Sequence, residues 1–256
     1  MNGIGLIVAL PREIPAGFVR IRSHDEKAVL PFAAYQYKTM PRQLMAAQVG
    51  IGQKRAAEKT RQFIAQFSPS ALVSVGFAGG LNPSLARGTI VIATGLVPPH
   101  ASQGGLDACK VLVDQLHASA QAVGLPVHLG SVVTAPRVVA EATAKAALWR
   151  ACRAEAVEME AAGVVKAARE HKLPWAAVRV IVDSAADTLP AACLSILDGD
   201  GRASMKALAG ALCRSPSILW PLLTLMAGSA RAHRYLSRLF AHWAAHLPAE
   251  GPLGQG

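Results

Sequence analysis

Three places in this 256-residue chain put carboxylates where a reacting group could exchange protons with them. Glu13 follows the apolar run Gly5-Leu6-Ile7-Val8-Ala9-Leu10 after a Pro11-Arg12 turn. Asp183 ends the run Val178-Arg179-Val180-Ile181-Val182. Glu158 and Glu160 open a helix-length segment just before that run. The loop Gly76-Phe77-Ala78-Gly79-Gly80 follows another apolar run. Positioned carboxylates are general acids and bases, and in open α/β sheets ligands sit outside the carboxyl ends of the strands. Each feature alone has a plainer reading. A lone Glu after a strand is often a solvated loop residue, Asp183 before Ser184 suits a turn, acids at a helix start favour its dipole, and glycines make tight turns. Their order and spacing give them a joint meaning.

Short apolar runs alternate with helix-length segments along the chain. Strands are expected over 5–10, 44–49, 71–75, 89–93, 128–133 and 176–182. Helices are expected over 53–67, 106–122, 139–150 and 157–171. In the first helix Ala56, Thr60, Phe63, Ile64 and Phe67 share one face. Strands alternating with helices argue for a sheet covered on both sides. The chain is long enough to bury a sizeable core, and its 52% hydrophobic content excludes a disordered chain.

The four cysteines, Cys109, Cys152, Cys193 and Cys213, are widely spaced and read as reduced buried thiols. The N-terminal apolar run lacks a basic leader and reads as a strand, not a signal peptide. The run from Ile218 to Ala227 contains Pro221 and is too short to cross a bilayer. Gly50-Ile51-Gly52 is followed by Arg55 where a dinucleotide fingerprint needs glycine, and no phosphate loop or G-x-S-x-G elbow occurs. No His/Cys cluster has zinc spacing, and Asp198-Gly199-Asp200-Gly201 is too short for a calcium loop. No cofactor and no metal are expected.

Taken in order, the motifs resemble those of the nucleoside phosphorylase and nucleosidase superfamily. Gly76-Phe77-Ala78-Gly79-Gly80-Leu81 with Arg87-Gly88-Thr89-Ile90-Val91-Ile92 is similar to its glycine-rich signature. Val157-Glu158-Met159-Glu160-Ala161-Ala162, then Leu173-Pro174-Trp175 and Val178 to Asp183, is similar to its second signature. The run from Gly5 to Ile14 looks like the family's first strand and acidic turn. The match covers about residues 4 to 187, closest in kind to the methylthioadenosine/S-adenosylhomocysteine nucleosidases. It implies a three-layer α/β/α sandwich with a mixed central sheet over 1–206, and cleavage of a purine nucleoside N-glycosidic bond. Beyond Asp183, the segments Ala185 to Pro190, Leu197 to Arg202 and Ser229-Ala230-Arg231 are similar to the hopanoid-associated branch. Members of that branch are thought to release adenine from adenosylhopane to give ribosylhopane.

Carried over position by position, the resemblance makes Asp183 the acid that protonates purine N7 and Glu13 the base that activates water. Glu160 would accept hydrogen bonds from the ribose hydroxyls and Met159 would pack on the ribose. Val138 and Val139 fall where the family holds the base. Phe77, Ala78 and Gly79 belong to the substrate-binding set, as does Arg179, whose family counterpart buttresses the carboxylates. Departures from the family pattern bear on the nucleophile and the substrate. Ser74 and Phe77 stand where the phosphorylases place an arginine and a serine for phosphate, which favours water. Val182 replaces a serine before the acid, and Pro136 replaces a common Asp.

Charge is the last clue. The formal net charge is +10, and the interval 201–249 holds no acid but carries Arg202, Lys206, Arg214, Arg231, Arg234 and Arg238. From Ala232 to Leu247, Tyr235, Leu236, Leu239, Phe240 and Trp243 recur at helical spacing opposite Arg231, Arg234, Arg238 and His242. This basic amphipathic extension, 207–247, reads either as a helix packed on the core or as one lying on anionic lipid; residues 248–256 read as a flexible tail. The expected partners are a small-molecule nucleoside, lipid-linked by resemblance, a membrane surface touched by 229–247, and further copies of the chain, but no nucleic acid. The expected location is the cytoplasm, at the inner face of the cytoplasmic membrane. Alternatives are a soluble methylthioadenosine/S-adenosylhomocysteine nucleosidase, a purine nucleoside phosphorylase, and a non-catalytic membrane-associated protein. The trio Glu13, Glu160 and Asp183 argues against the last, since a binder needs no such set.

Overall fold

The computed structural model describes residues 3–21, 30–39, 44–99, 104–189 and 219–247, with side chains from 226 onward in the last segment. The proposed boundary at 206/207, the motifs from Pro190 to Arg202, Cys193, Cys213 and the tail lie outside the described residues.

Among the described residues, β1 (Ile4–Val8), β2 (Phe18–Arg20), β3 (Ala33–Tyr37), β4 (Leu44–Gln48), β5 (Ala71–Gly80), β6 (Ile90–Val97), β8 (Val127–Thr134), β9 (Ala156–Glu158) and β10 (Trp175–Asp183) run in the order β10-β6-β8-β9-β5-β1-β4-β3-β2, with β7 (Leu106–Asp107) on β6. The central strands are β1 (Ile4–Val8), β4 (Leu44–Gln48) and β5 (Ala71–Gly80). β1 is parallel to both of the others. It is buried on both faces, as a central parallel strand must be. Beyond β4 the short strands β3 (Ala33–Tyr37) and β2 (Phe18–Arg20) add antiparallel pairings. On the other side, β10 (Trp175–Asp183) pairs with both β5 and β6 (Ile90–Val97). β6 then pairs with β8 (Val127–Thr134), β8 with β9 (Ala156–Glu158), and β9 back with β5. These five strands therefore close on themselves, and the carboxyl ends of β5, β9 and β10 meet at the closure.

Helices cover both faces. α1 (Gln53–Phe67) and α4 (Ala161–Glu170) pack over Ile7, Ala47, Leu72 and Ala177. α2 (Lys110–Ala122) and α5 (Leu219–Ala245) cover Ile4, Leu6, Val8, Val73 and Val178 on the other face. α3 (Ala142–Cys152) lies at the closed end, where Leu148 and Trp149 pack against Val133 and Val157. The chain is thus a mixed α/β fold with a mixed central sheet between helical layers.

Gly163 sets how closely α4 meets α1. A Cβ added there would fall 2.2 Å from the Gln53 carbonyl oxygen, so only glycine lets the start of α1 come this near.

Some expectations need correction. The segment Gly76–Gly80 is not a loop, because β5 continues through it, paired with β10 and β9. Small residues suit a strand that runs alongside acidic side chains. Residues 106–107 form a strand pairing with β6 instead of starting α2. Glu158 does not open a helix: it ends β9, where it pairs with Thr134, and α4 begins only at Ala161. The apolar face of α5 is not free to enter lipid. Leu236, Leu239 and Phe240 are fully buried and Trp243 nearly so, all within the core shared with α2 and the sheet. Arg231, Arg234 and Arg238 stay exposed on the outer side. No helix among the described residues is long and apolar enough to cross a membrane.

Candidate active site

A cleft of about 200 Å³ opens at the carboxyl ends of the strands. Glu13, Glu160 and Asp183 line it, together with Phe77, Ala78, Gly79, Val138, Val139 and Met159. The structure thus brings together nine of the ten residues singled out in the sequence. Arg179 stands apart. It was expected among the substrate-binding residues, but it is buried behind the cleft and spends its guanidinium on the protein.

Glu13 sits in the 3-10 turn Pro11–Glu13 that follows β1. Its Oε2 accepts from the N–H groups of Ala9 at 2.9 Å and Leu10 at 2.8 Å. Its Oε1 accepts from the Phe77 N–H at 2.8 Å. Burial pushes its carboxyl above the usual range, although the amides of Phe77 and Leu10 and the charge of Arg179 pull the other way. A carboxylate of raised proton affinity, fixed by three bonds, is suited to take a proton.

Glu160 is the residue before α4 and accepts from the Gly52 N–H at 2.8 Å through Oε1. The close α1–α4 crossing at Gly163 places that amide. Burial first, then the negative charge of Glu158 and of Glu13, raises the Glu160 carboxyl to about 7.

Glu158 and Arg179 form the frame beneath. Glu158 Oε2 accepts from the N–H groups of Glu160 at 2.9 Å and Ala161 at 2.7 Å, so this side chain caps α4 from within the sheet. It also accepts from Arg179 Nη2 at 2.7 Å and from the Thr134 hydroxyl at 2.5 Å. The remaining guanidinium bonds go to the carbonyls of Ser74 and Val178 and to the Ser74 hydroxyl. Arg179 is 2% exposed. Such a pair holds geometry while contributing little net stability.

Asp183 ends β10 and is 6% exposed. Its Oδ2 is ion-paired to the fully buried Lys145 of α3. Burial raises the Asp183 carboxyl; Lys145 opposes this, Asp187 adds to it and Arg87 opposes it. Arg87 and Asp187 form a two-point pair at 2.7 and 2.5 Å, which holds the Asp187 carboxyl well below its usual range. Sequence reasoning gave no role to Lys145, Arg87 or Asp187, although Arg87 and Asp187 stand in segments that carry the resemblance. Lys145, a lone lysine in the alanine-rich segment 142–151, resembles an ordinary solvated residue.

Among the described residues no cluster of three His, Cys, Asp or Glu side chains could hold a metal ion. Beyond the carboxylates and Arg137 the cleft walls are apolar, with Leu10, Ile51, Val157, Val182 and Leu189 joining the two valines.

With this fold and site, the chain belongs to the phosphorylase superfamily, whose family model matches residues 4–209. It is an enzyme of the nucleosidase and nucleoside phosphorylase class. It is 25% identical over 201 residues to the 5'-methylthioadenosine/S-adenosylhomocysteine nucleosidase of Staphylococcus aureus (strain JH9), covering 71% of this chain and 86% of that one. The corresponding nucleosidase of Neisseria meningitidis, solved with methylthio-immucillin-A, superposes with a TM-score of 0.67 at 19% identity, covering 94% of this chain and 99% of that one. The futalosine hydrolase of Helicobacter pylori superposes with a TM-score of 0.68 at 18% identity, over 96% and 98% of the two chains.

Proposed function

We propose that this enzyme hydrolyses the N-glycosidic bond of an adenine nucleoside carrying a large apolar 5′ substituent, with adenosylhopane as the substrate and ribosylhopane as the product. The observation that carries the bond-breaking chemistry is the convergence of Glu13, Glu160 and Asp183 on one cleft. Asp183 gives its proton to purine N7, so the base leaves neutral and the electron pair of the C1′–N9 bond moves into the purine. Glu160 accepts hydrogen bonds from the ribose hydroxyls while positive charge builds on the sugar. Water adds to C1′ and its proton passes to Glu13. The products are adenine and a sugar with a free anomeric hydroxyl.

Water is favoured over phosphate by what already fills the anion's place. The Phe77 amide is bonded to Glu13, and Gly76 lies directly against the same carboxylate. Arg179, the nearest cation in this frame, is bonded to Glu158 and Ser74. A phosphate beside Gly76 and Phe77 would meet the Glu13 carboxylate, and the buried guanidinium behind it is already engaged.

The lipid-linked substrate rests on the resemblance noted in the sequence and is supported by the apolar cleft wall. Gly228 of α5 packs against the backbone of Val182, which lines the cleft. The helix therefore passes beside the cleft. We place the enzyme at the inner face of the cytoplasmic membrane. Attachment would come from the exposed arginines of α5, since its buried apolar side chains are not available for it. The test is to supply adenosylhopane and methylthioadenosine separately, with and without phosphate, and to measure adenine and the sugar product. Equal or better turnover of methylthioadenosine would overturn the lipid assignment and leave the bond chemistry standing.

A further inference from the structure

Lys145 is a fully buried lysine that does not line the cleft. Its ammonium group has three acceptors: Asp183 Oδ2, and the carbonyl oxygens of Ser184 and Asp187, each at 2.9 Å. It therefore ties the last residue of β10 to the segment that follows, and all three of its N–H bonds are spent on that task. The segment is held again by the Arg87–Asp187 pair and by the Leu189 N–H, which donates to the Ala140 carbonyl at 2.9 Å. Asp183 Oδ1 is engaged by no hydrogen bond among the described residues. One carboxylate oxygen is gripped from behind and the other is left for the cleft.

Burying an ammonium group is costly unless every proton is satisfied. An apolar residue would fill the same space in α3 without that cost. The lysine makes sense through the carboxylate it holds.

Resting on the hydrolytic reading above, we propose that Lys145 is a positioning residue that strengthens Asp183 as the leaving-group acid. When the Asp183 O–H bond breaks and the proton moves to purine N7, the electron pair stays on the carboxylate beside the Lys145 ammonium. That charge is absent before the transfer and present after it, so the cation favours the departing state over the ground state. The other charges acting on Asp183 are Arg87 and Asp187, which are paired with each other; Glu13, Glu158, Glu160 and Arg137 line the same cleft, and the adjoining residues of β5 and β9, Gly79 and Val157, are uncharged. Lys145 is the cation in direct contact. Its removal should make Asp183 a weaker acid that keeps its proton to higher pH, consistent with the lowering effect of Lys145 on that carboxyl.

The experiment compares Lys145→Met and Lys145→Arg with the unaltered enzyme on an adenine nucleoside and on 4-nitrophenyl riboside, whose leaving group needs no proton. Lys145→Met should lower kcat for the adenine nucleoside by roughly 10- to 100-fold. It should leave the nitrophenyl substrate within about threefold. It should also move the alkaline limb of the kcat profile to higher pH, and Lys145→Arg should restore much of the rate and the limb. Should Lys145→Met not fold, Lys145→Gln carries the same limb measurement. Equal slowing of both substrates, or an unmoved limb in a folded neutral variant, would reduce Lys145 to a structural residue and overturn the proposal. The hydrolytic reading fails separately, if Asp183→Asn turns over the adenine nucleoside at the normal rate.

Discussion

Replacing Gly76 by alanine tests the link between the backbone of β5 and Glu13, the proposed base. An added Cβ would lie 2.7 Å from Glu13 Oε1 and 3.1 Å from its Cδ, whereas ordinary contact begins near 3.4 Å. The carboxylate must therefore retreat by roughly 0.7 Å, and a misplacement of about 1 Å at a reacting group costs on the order of 100-fold in rate. Glu13 cannot swing aside freely, because the amides of Ala9, Leu10 and Phe77 hold both its oxygens. Loss or stretching of one such charged hydrogen bond costs about 1.5–3 kcal/mol. In a chain of this size that lowers Tm by roughly 3–12 °C. Alanine brings no backbone strain of its own, since Gly76 is outside the left-handed region. Steady-state release of adenine and a thermal melt measure the two effects together. A Gly76→Ala enzyme with normal kcat/KM and unchanged Tm would show that Glu13 is neither fixed nor needed where the structure puts it.

Other consequences can be checked in parallel. Asp183→Asn should cut adenine release by roughly two orders of magnitude or more while the fold survives, as read by turnover and circular dichroism. Arg179→Met leaves Glu158 buried without its cation and should cost about 3–5 kcal/mol in denaturant unfolding, with Glu158→Gln in the same chain recovering part of the loss. Stability should fall as pH rises from 4.5 to about 7, because the folded state keeps the Glu160 proton that the unfolded chain releases there. That slope is worth roughly 3 kcal/mol, and Glu160→Gln should flatten it; a slope unchanged in that variant would remove Glu160 as its source. The protein should bind vesicles of anionic lipid at low salt and release them as salt rises, and charge reversal at Arg231, Arg234 and Arg238 should abolish this. Binding to neutral vesicles with no salt dependence would contradict attachment by charge.

Much of the site was legible because family-specific chemistry is concentrated at strand ends. Glu13, Glu160 and Asp183 each stand at or just beyond a carboxyl-terminal strand end, and the sheet rule placed them in one crevice before any geometry was known. The central strands were legible from their unbroken apolar runs. What stayed hidden depends on pairing between distant segments. β9 is three residues long and reads as the start of the next helix, until its pairing with β8 and β5 is seen. The glycines of 76–80 read as a turn, but tertiary pairing keeps them extended. Lys145 precedes Asp183 by 38 positions, and nothing in the local pattern of α3 distinguishes it from a solvated lysine. The apolar stripe of α5 was equally compatible with core and with lipid; only the packing of Leu236, Phe240 and Trp243 on the sheet decides.

The central claim is tested most directly by incubating the full-length enzyme with a 5′-substituted adenosine in phosphate-free buffer, then identifying both products by chromatography and NMR. Hydrolysis predicts adenine together with a sugar bearing a free anomeric hydroxyl, at a rate unchanged when phosphate is added. Adenine release that requires phosphate and yields a sugar 1-phosphate would contradict the account.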